Sequence, residues 1–186
     1  MKRIFLLCVA AALSFTVNAA PPSRAILAKD STIGFVFKQE NVPVSGSFGK
    51  FSGTLALDPA NPQAIRISID TGSIHAGSDD ADTEVVKPGW LSVAAFPQAT
   101  FASKSVSNTG GANWQSTGML TIKGIARDVT VPFTVKEHAD GSAELDGQFQ
   151  IKRADYKVGE GEWSAFDTIA NEIQVKFHLV LGAAPH

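Results

Sequence analysis

Four histidines, a single tyrosine and one cysteine near the start are what this chain offers to acid–base, nucleophilic or metal chemistry. His75 alone has acidic neighbours, with Asp79, Asp80, Asp82 and Glu84 downstream. Zinc sites draw most of their ligands from nitrogen and sulfur, and one histidine among carboxylates does not meet that need. Acids crowded at the start of a helix are the simpler account, because the helix dipole favours negative charge there. His138 falls in the turn Glu137–Gly141, His186 ends the chain, and His178 sits out of phase with its apolar neighbours and should face water. Nucleophilic catalysis needs a serine or cysteine beside a base. The only cysteine, Cys8, lies in the leader described below, no Gly-x-Ser-x-Gly elbow occurs, and no histidine falls on an inward strand face. No catalytic set, metal or covalent cofactor is expected.

One charged residue stands out by its phase. Counting by twos from Leu145 through Gly147, Phe149 and Ile151 lands on Arg153 and then Asp155. A charge on an apolar face is costly unless it is paired. Asp155, or Asp167 from the following loop, would be the partner in a structural reading. The functional alternative is that Arg153 meets an anionic or carbonyl head group near one end of the fold.

The elements that must position these residues are strands. Ile173, Val175, Phe177, Leu179 and Leu181 alternate with Glu172, Gln174, Lys176, His178 and Val180, the period of a strand with one dry face. The same alternation runs through Ile33-Phe35-Phe37, Ile65-Ile67-Ile69, Val129-Val131-Phe133-Val135 and Leu145–Ile151. Strands are expected at 24–29, 32–40, 45–48, 51–57, 64–70, 99–107, 114–123, 127–137, 143–152 and 172–181, with Val42-Pro43 breaking the second. Turns are expected at Asp58–Pro62, Asn108–Gly111, Lys123-Gly124 and Asp140-Gly141. Many one-sided strands with almost no helix predict an all-β sandwich or closed barrel. The interruption at 72–97 predicts a short helix capped by Ser78 or Asp79 and stopped by Pro88-Gly89. After it, Trp90, Leu91, Val93 and Phe96 would cover or plug an end.

Lys2 and Arg3, an apolar run from Ile4 to Val17, and Val17-Asn18-Ala19 read as a cleaved export leader, residues 1–19. The run is too short to span a bilayer as a helix, and Leu7 is not the small residue that lipid attachment at Cys8 would want. The mature chain, 167 of the 186 residues, is expected to be one domain (20–186), periplasmic and free of disulfides. It keeps 14 of the 16 basic residues against 18 acidic ones, formally −4, with the cations scattered singly. Nucleic acid would require the opposite sign, in clusters.

The inward parity is rich in phenylalanine, which accounts for 12 residues of the chain. The candidate lining is Phe35, Phe37, Leu55, Ile67, Ile69, Phe101, Leu120, Val131, Phe133, Phe149, Val175 and Phe177. Trp90, Leu91, Phe96 and Trp163 are candidates to cover an end, and Arg153 to meet a head group. A barrel of about eight strands is the size at which side chains just fill the interior or leave room for one ligand. Periodicity cannot choose between these.

Several stretches resemble YceI-like proteins. Gly46-Ser47-Phe48-Gly49-Lys50-Phe51-Ser52-Gly53 is similar to the family's G-x-F-x-x-F-x-G segment. Further likenesses are Trp90-Leu91 through Phe96-Pro97-Gln98-Ala99-Thr100-Phe101, Gly118–Gly124, Arg153-Ala154-Asp155-Tyr156 and Gly159–Trp163. They run in order from about Ala25 to Leu181. Where the family often has His-Ser and Arg-Asp-x-His-Leu, this chain has Asp30-Ser31 and Asp79-Asp80-Ala81-Asp82, and Tyr156 replaces the usual phenylalanine. The resemblance implies an antiparallel lipocalin-like β-barrel with a short helical insertion, binding a polyisoprenoid or similar long apolar chain. On that reading the bound ligand is an isoprenoid lipid, a quinone or polyprenyl chain. A fatty acid or amide binder and a filled-core interaction protein are the alternatives. Expected partners are the lipid and, transiently, a membrane or membrane protein, with a homodimer left open.

Overall fold

The computed structural model describes residues 23–57, 60 and 64–183. The expected leader, most of the turn at 58–62, and His186 lie outside the described residues. The strands are β1 (Arg24–Ala25), β2 (Thr32–Gln39), β3 (Val42–Phe48), β4 (Phe51–Leu55), β5 (Ile65–Asp70) and β6 (Ile74–His75). After the helix α1 (Asp79–Val85) come β7 (Gln98–Gly110), β8 (Asn113–Ile122), β9 (Ile125–Glu137), β10 (Ala143–Lys152) and β11 (Glu172–Leu181). They form one sheet of 11 strands in the order β1-β4-β5-β7-β8-β9-β10-β11-β2-β3-β6. The count exceeds the expected eight because short bridging strands such as β1 and β6 take part.

The sheet curls into an antiparallel barrel. Ile26, just beyond β1, bridges to Leu181. Leu27 N–H donates to Val180 O at 2.8 Å and Gly182 N–H to Ala25 O at 3.0 Å. The segment that pairs with β4 on one side therefore pairs with the end of β11 on the other. Closure of this kind removes the open edge at that seam, leaving uncovered the stretch of β3 beyond its short pairing with β6.

Several boundaries differ from the sequence expectation: β4 stops at Leu55, and β7 runs on to Gly110 through most of the turn expected at Asn108–Gly111. The expected first strand is short, and Ala28–Asp30 is a 3-10 turn. Val42-Pro43 does not break a strand but opens β3, because the hairpin turn is Glu40-Asn41, both with positive φ (49° and 65°). That is the primed turn that two-residue hairpins favour. Gln39 and Val42 close it, so Pro43 occupies the next, non-hydrogen-bonded pair and its missing N–H faces a stretch of β3 that β6 leaves uncovered. Lys123-Gly124 (φ 51° and 72°) turns β8 into β9 in the same way.

Helix α1 starts where expected. Ser78 Oγ accepts from Ala81 N–H at 3.3 Å, and Asp79, Asp80 and Asp82 load its first turn. It ends before Pro88, whose ring disfavours helical geometry in the preceding residue. Ile74, Ala76 and Leu91 form a small cluster beneath it, with Val85, Val86 and Val158 packed against them.

Exposure along the inward face changes from one end of the barrel to the other. On β11, Leu181 is 0% and Leu179 2% exposed, yet Phe177, Val175 and Ile173 on the same face are only half-buried. Strand β10 repeats this in register, with Ala143 and Leu145 sealed but Phe149 and Ile151 half-buried. The sealed end is a conventional core, in which Leu55, Ile65 and Val106 join those residues. At the other end the inward side chains face open space.

Candidate functional site: a cavity inside the barrel

That space is a cavity of about 590 Å³. Packed interiors hold few voids larger than a single water, whereas ligand pockets run from about 300 to 1,000 Å³. Its walls include Phe35 and Phe37 from β2, Leu55 from β4, Ile67 and Ile69 from β5, and Phe101 from β7. Leu120 (β8), Val131 and Phe133 (β9), Phe149 (β10), and Val175 and Phe177 (β11) complete the expected lining. Strand alternation brings these side chains together from distant parts of the chain. Further lining residues follow from the same parity carried onward, namely Ile33, Leu145, Ile151, Ile173 and Leu179. Gln39 and Ile122 also continue the parity of Phe37 and Leu120 to their strand ends, whereas Asp80 and Glu84, which reach the cavity from α1, had no such signal.

The covered end is built from α1 and two tryptophans. Ala81, Glu84 and Val85 of α1 face the cavity together with Trp90, Leu91 and Trp163. The Trp90 and Trp163 rings lie 5.7 Å apart, tilted by 48°. Trp163 Nε1–H donates to Glu84 Oε1 at 3.3 Å, which ties the 161–163 turn to the helix. The Lys87 ammonium, bonded to the Glu84 carboxyl, holds it below its ordinary range, with both indoles adding to the effect. Phe96 is not part of this cover. It is 36% exposed, and its ring rests on the β8–β9 turn, where a Cβ added to Gly124 would lie 2.6 Å from it.

Arg153 is structural, as one reading expects, but not through the carboxylates expected, and it does not reach out to a head group. The residue is 3% exposed, and its guanidinium bonds to neither Asp155 nor Asp167. Nε–H donates to Ala170 O at 3.2 Å, and Nη1 to the carbonyls of Val158 and Gly159 at 2.9 Å each. Nη2 donates to those of Trp163, Ala165 and Ile169 at 2.7, 3.1 and 2.9 Å. Five N–H groups thus serve six carbonyls, and none is left for a head group. Burial pulls the guanidinium pKa down, while Trp90 and Phe166 stack on it at 5.8 and 5.1 Å. Gly159 (φ 77°) is required here, since a Cβ would fall 2.2 Å from Nη1. Arg153 is the peg on which residues 158–170 are hung.

The histidines stay apart. His75 Nδ1 lies 3.1 Å from Asp82 Oδ2, His178 Nδ1 lies 2.8 Å from Asp146, and His138 Nε2 lies 3.1 Å from Glu144. Among the described residues, no three His, Cys, Asp or Glu side chains converge as a metal site. Asp82 instead ties α1 to the barrel, because its Oδ1 accepts from Ala76 N–H. That amide bond, followed by the bond to His75, lowers the Asp82 pKa from 3.8. A carboxyl depressed in the folded state stabilises it above the unfolded pKa and stops doing so as pH falls through the folded value. The α1 tether is therefore expected to loosen only below about pH 3.8. An acid titration followed by NMR should show the Ala76 amide shift in that window in the wild type and not in Asp82→Asn. A resonance that stays put in the folded wild type would refute the tether.

A closed antiparallel barrel with a hollow, apolar half is the architecture of proteins that hold one small guest inside. The YceI-like domain profile matches residues 25–181. The chain belongs to the YceI-like family. Protein YceI of Salmonella newport (strain SL254) is 30% identical over 169 residues, covering 85% of this chain and 88% of that protein. Among solved structures, Burkholderia cenocepacia BcnA superposes with a TM-score of 0.78 at 39% identity, over 83% of this chain and 98% of that one. A polyisoprenoid binding domain from Saccharophagus degradans, implicated in plant cell wall breakdown, matches with a TM-score of 0.71 at 18% identity, over 89% of this chain and 99% of that one.

Proposed function

We propose that this protein is a periplasmic, non-catalytic carrier that holds a long-chain isoprenoid lipid, such as a quinone or polyprenyl chain, in the barrel cavity. The observation that carries the reading is the hollow half of the barrel, walled by phenylalanine, isoleucine and valine side chains. Burial contributes about 25 cal/mol per Å², so each 100 Å² of chain taken out of water adds about 2.5 kcal/mol. A long tail supplies the affinity without any directed chemistry. The polyisoprenoid binding of the Saccharophagus degradans domain supports the same class of guest.

The lining's charges favour a neutral guest over a fatty acid. Arg153 is its one cation, and that guanidinium is saturated by the chain's own carbonyls, while Asp80 and Glu84 add negative charge. A carboxylate brought to this wall would lose its water and find no free cation in return, whereas the buried, unpartnered Tyr156 hydroxyl in the lining can serve a neutral hydroxyl or carbonyl. Organic extraction of the purified protein, followed by mass spectrometry, tests the proposal. A neutral isoprenoid in near-stoichiometric amount is the expected result. Recovery of fatty acid alone, or of no lipid from protein that also fails to take up added isoprenoid, would overturn it.

A further inference from the structure

Three rings of the cavity wall rest on glycines. Phe35 of β2 pairs directly with Gly46 of β3, and Phe177 of β11 with Gly147 of β10. Phe101 of β7 leans diagonally onto Gly118 of β8, which is opposite Ser103. A Cβ added at Gly46 would lie 2.2 Å from Phe35 Cζ, one at Gly147 2.3 Å from Phe177 Cζ, and one at Gly118 2.6 Å from Phe101 Cζ. In each case the far edge of the ring occupies the space a side chain on the neighbouring strand would need. All three rings line the cavity.

We propose that Gly46, Gly118 and Gly147 set the bore of the cavity, and thereby the girth of chain it admits, by seating the Phe35, Phe101 and Phe177 rings against the wall instead of across the lumen. A ring lifted off its glycine has backbone on one side and open space on the other, so it must swing inward. The lumen would narrow without losing its apolar character. Methyl-branched chains would then be refused before straight ones. The inference rests on the cavity being the seat of a hydrocarbon chain, and names what discriminates between such chains.

The same added Cβ atoms would also meet backbone oxygens, Pro132 O at 2.7 Å in the case of Gly147. The test therefore separates ring from backbone. Binding of all-trans-retinol, a neutral isoprenoid alcohol, and of straight-chain 1-hexadecanol is measured on the wild type, Gly147→Ala, and Gly147→Ala with Phe177→Leu. Gly147→Ala should weaken retinol binding by roughly tenfold or more and hexadecanol by less than about threefold, the usual effect of overfilling an apolar site. Adding Phe177→Leu should restore retinol binding. A double variant as weak as the single one would assign the glycine to backbone spacing and overturn the proposal. If Gly147→Ala does not fold by circular dichroism, Phe177→Trp at the native glycine takes its place and must show the same chain-selective loss; equal loss for both chains, or none, overturns it. A folded wild type that binds neither alcohol would sink the carrier reading itself, and this inference with it.

Discussion

Arg153→Met will lower stability by about 4 kcal/mol, the range for leaving buried partners of a charge unpaired, and the melting temperature by roughly 10 °C. The change keeps most of the buried stem but strips donors from six carbonyls between Val158 and Ala170. Each of those carbonyls is then either unsatisfied or must reach water by loosening the segment. Arg153→Lys will recover only part of the loss, because an ammonium has three donors at a point and cannot spread over a fork of acceptors. Asp155→Asn, by contrast, should stay within about 0.5 kcal/mol of the wild type, since Asp155 makes no bond to the guanidinium. Thermal melts of these variants decide the matter. A large effect of Asp155→Asn with a small one of Arg153→Met would restore the ion-pair account.

Phe149→Glu will leave the barrel folded and weaken lipid uptake by about 100-fold or more, equivalent to about 3 kcal/mol. Phe149 lies on the half-buried stretch of β10, beyond the sealed core at Ala143 and Leu145. With the cavity empty, a carboxylate there can keep water around it. A hydrocarbon guest would strip that water and leave the charge without a partner, which costs several kcal/mol. Phe149→Leu, which only trims the wall, should change affinity by less than about tenfold, within what a small loss of apolar contact produces. Titration of a neutral isoprenoid into both variants, with circular dichroism as the folding control, tests this. Unchanged uptake by a folded Phe149→Glu protein would remove β10 from the binding surface.

Most of the fold was legible because alternation is a local property: Ile173 to Leu181 announces both a strand and its dry face. The wall of the cavity followed for the same reason, and parity alone placed Phe35 and Phe177 on one surface. Four features escaped, three of them because they depend on contacts across the sequence. Whether Phe149 faces packed neighbours or empty space is decided by how strands distant in the chain come together, not by its own neighbours. The fate of Arg153 depended on a loop that folds back to present carbonyls, and backbone carbonyls leave no trace in a sequence. The Glu40-Asn41 turn lacks the glycine that usually marks a primed hairpin, so Pro43 was the louder signal and misplaced the strand start. Phe96 carried the right chemistry for a cover, but the turn after β8 captured its ring first.

The sealed core at Ala143, Leu145, Leu179 and Leu181 makes the barrel a blind sack, not a pipe. On the proposed function, a guest held there would go in tail first and back out by the end it entered, since the other is sealed. Delivery between two sites would then be a ferry crossing. The loaded protein departs from one bank before it reaches the other, and throughput is capped by the number of boats. Tethering one molecule to a donor surface should therefore stop transfer, whereas a bridge-like conduit would continue to work.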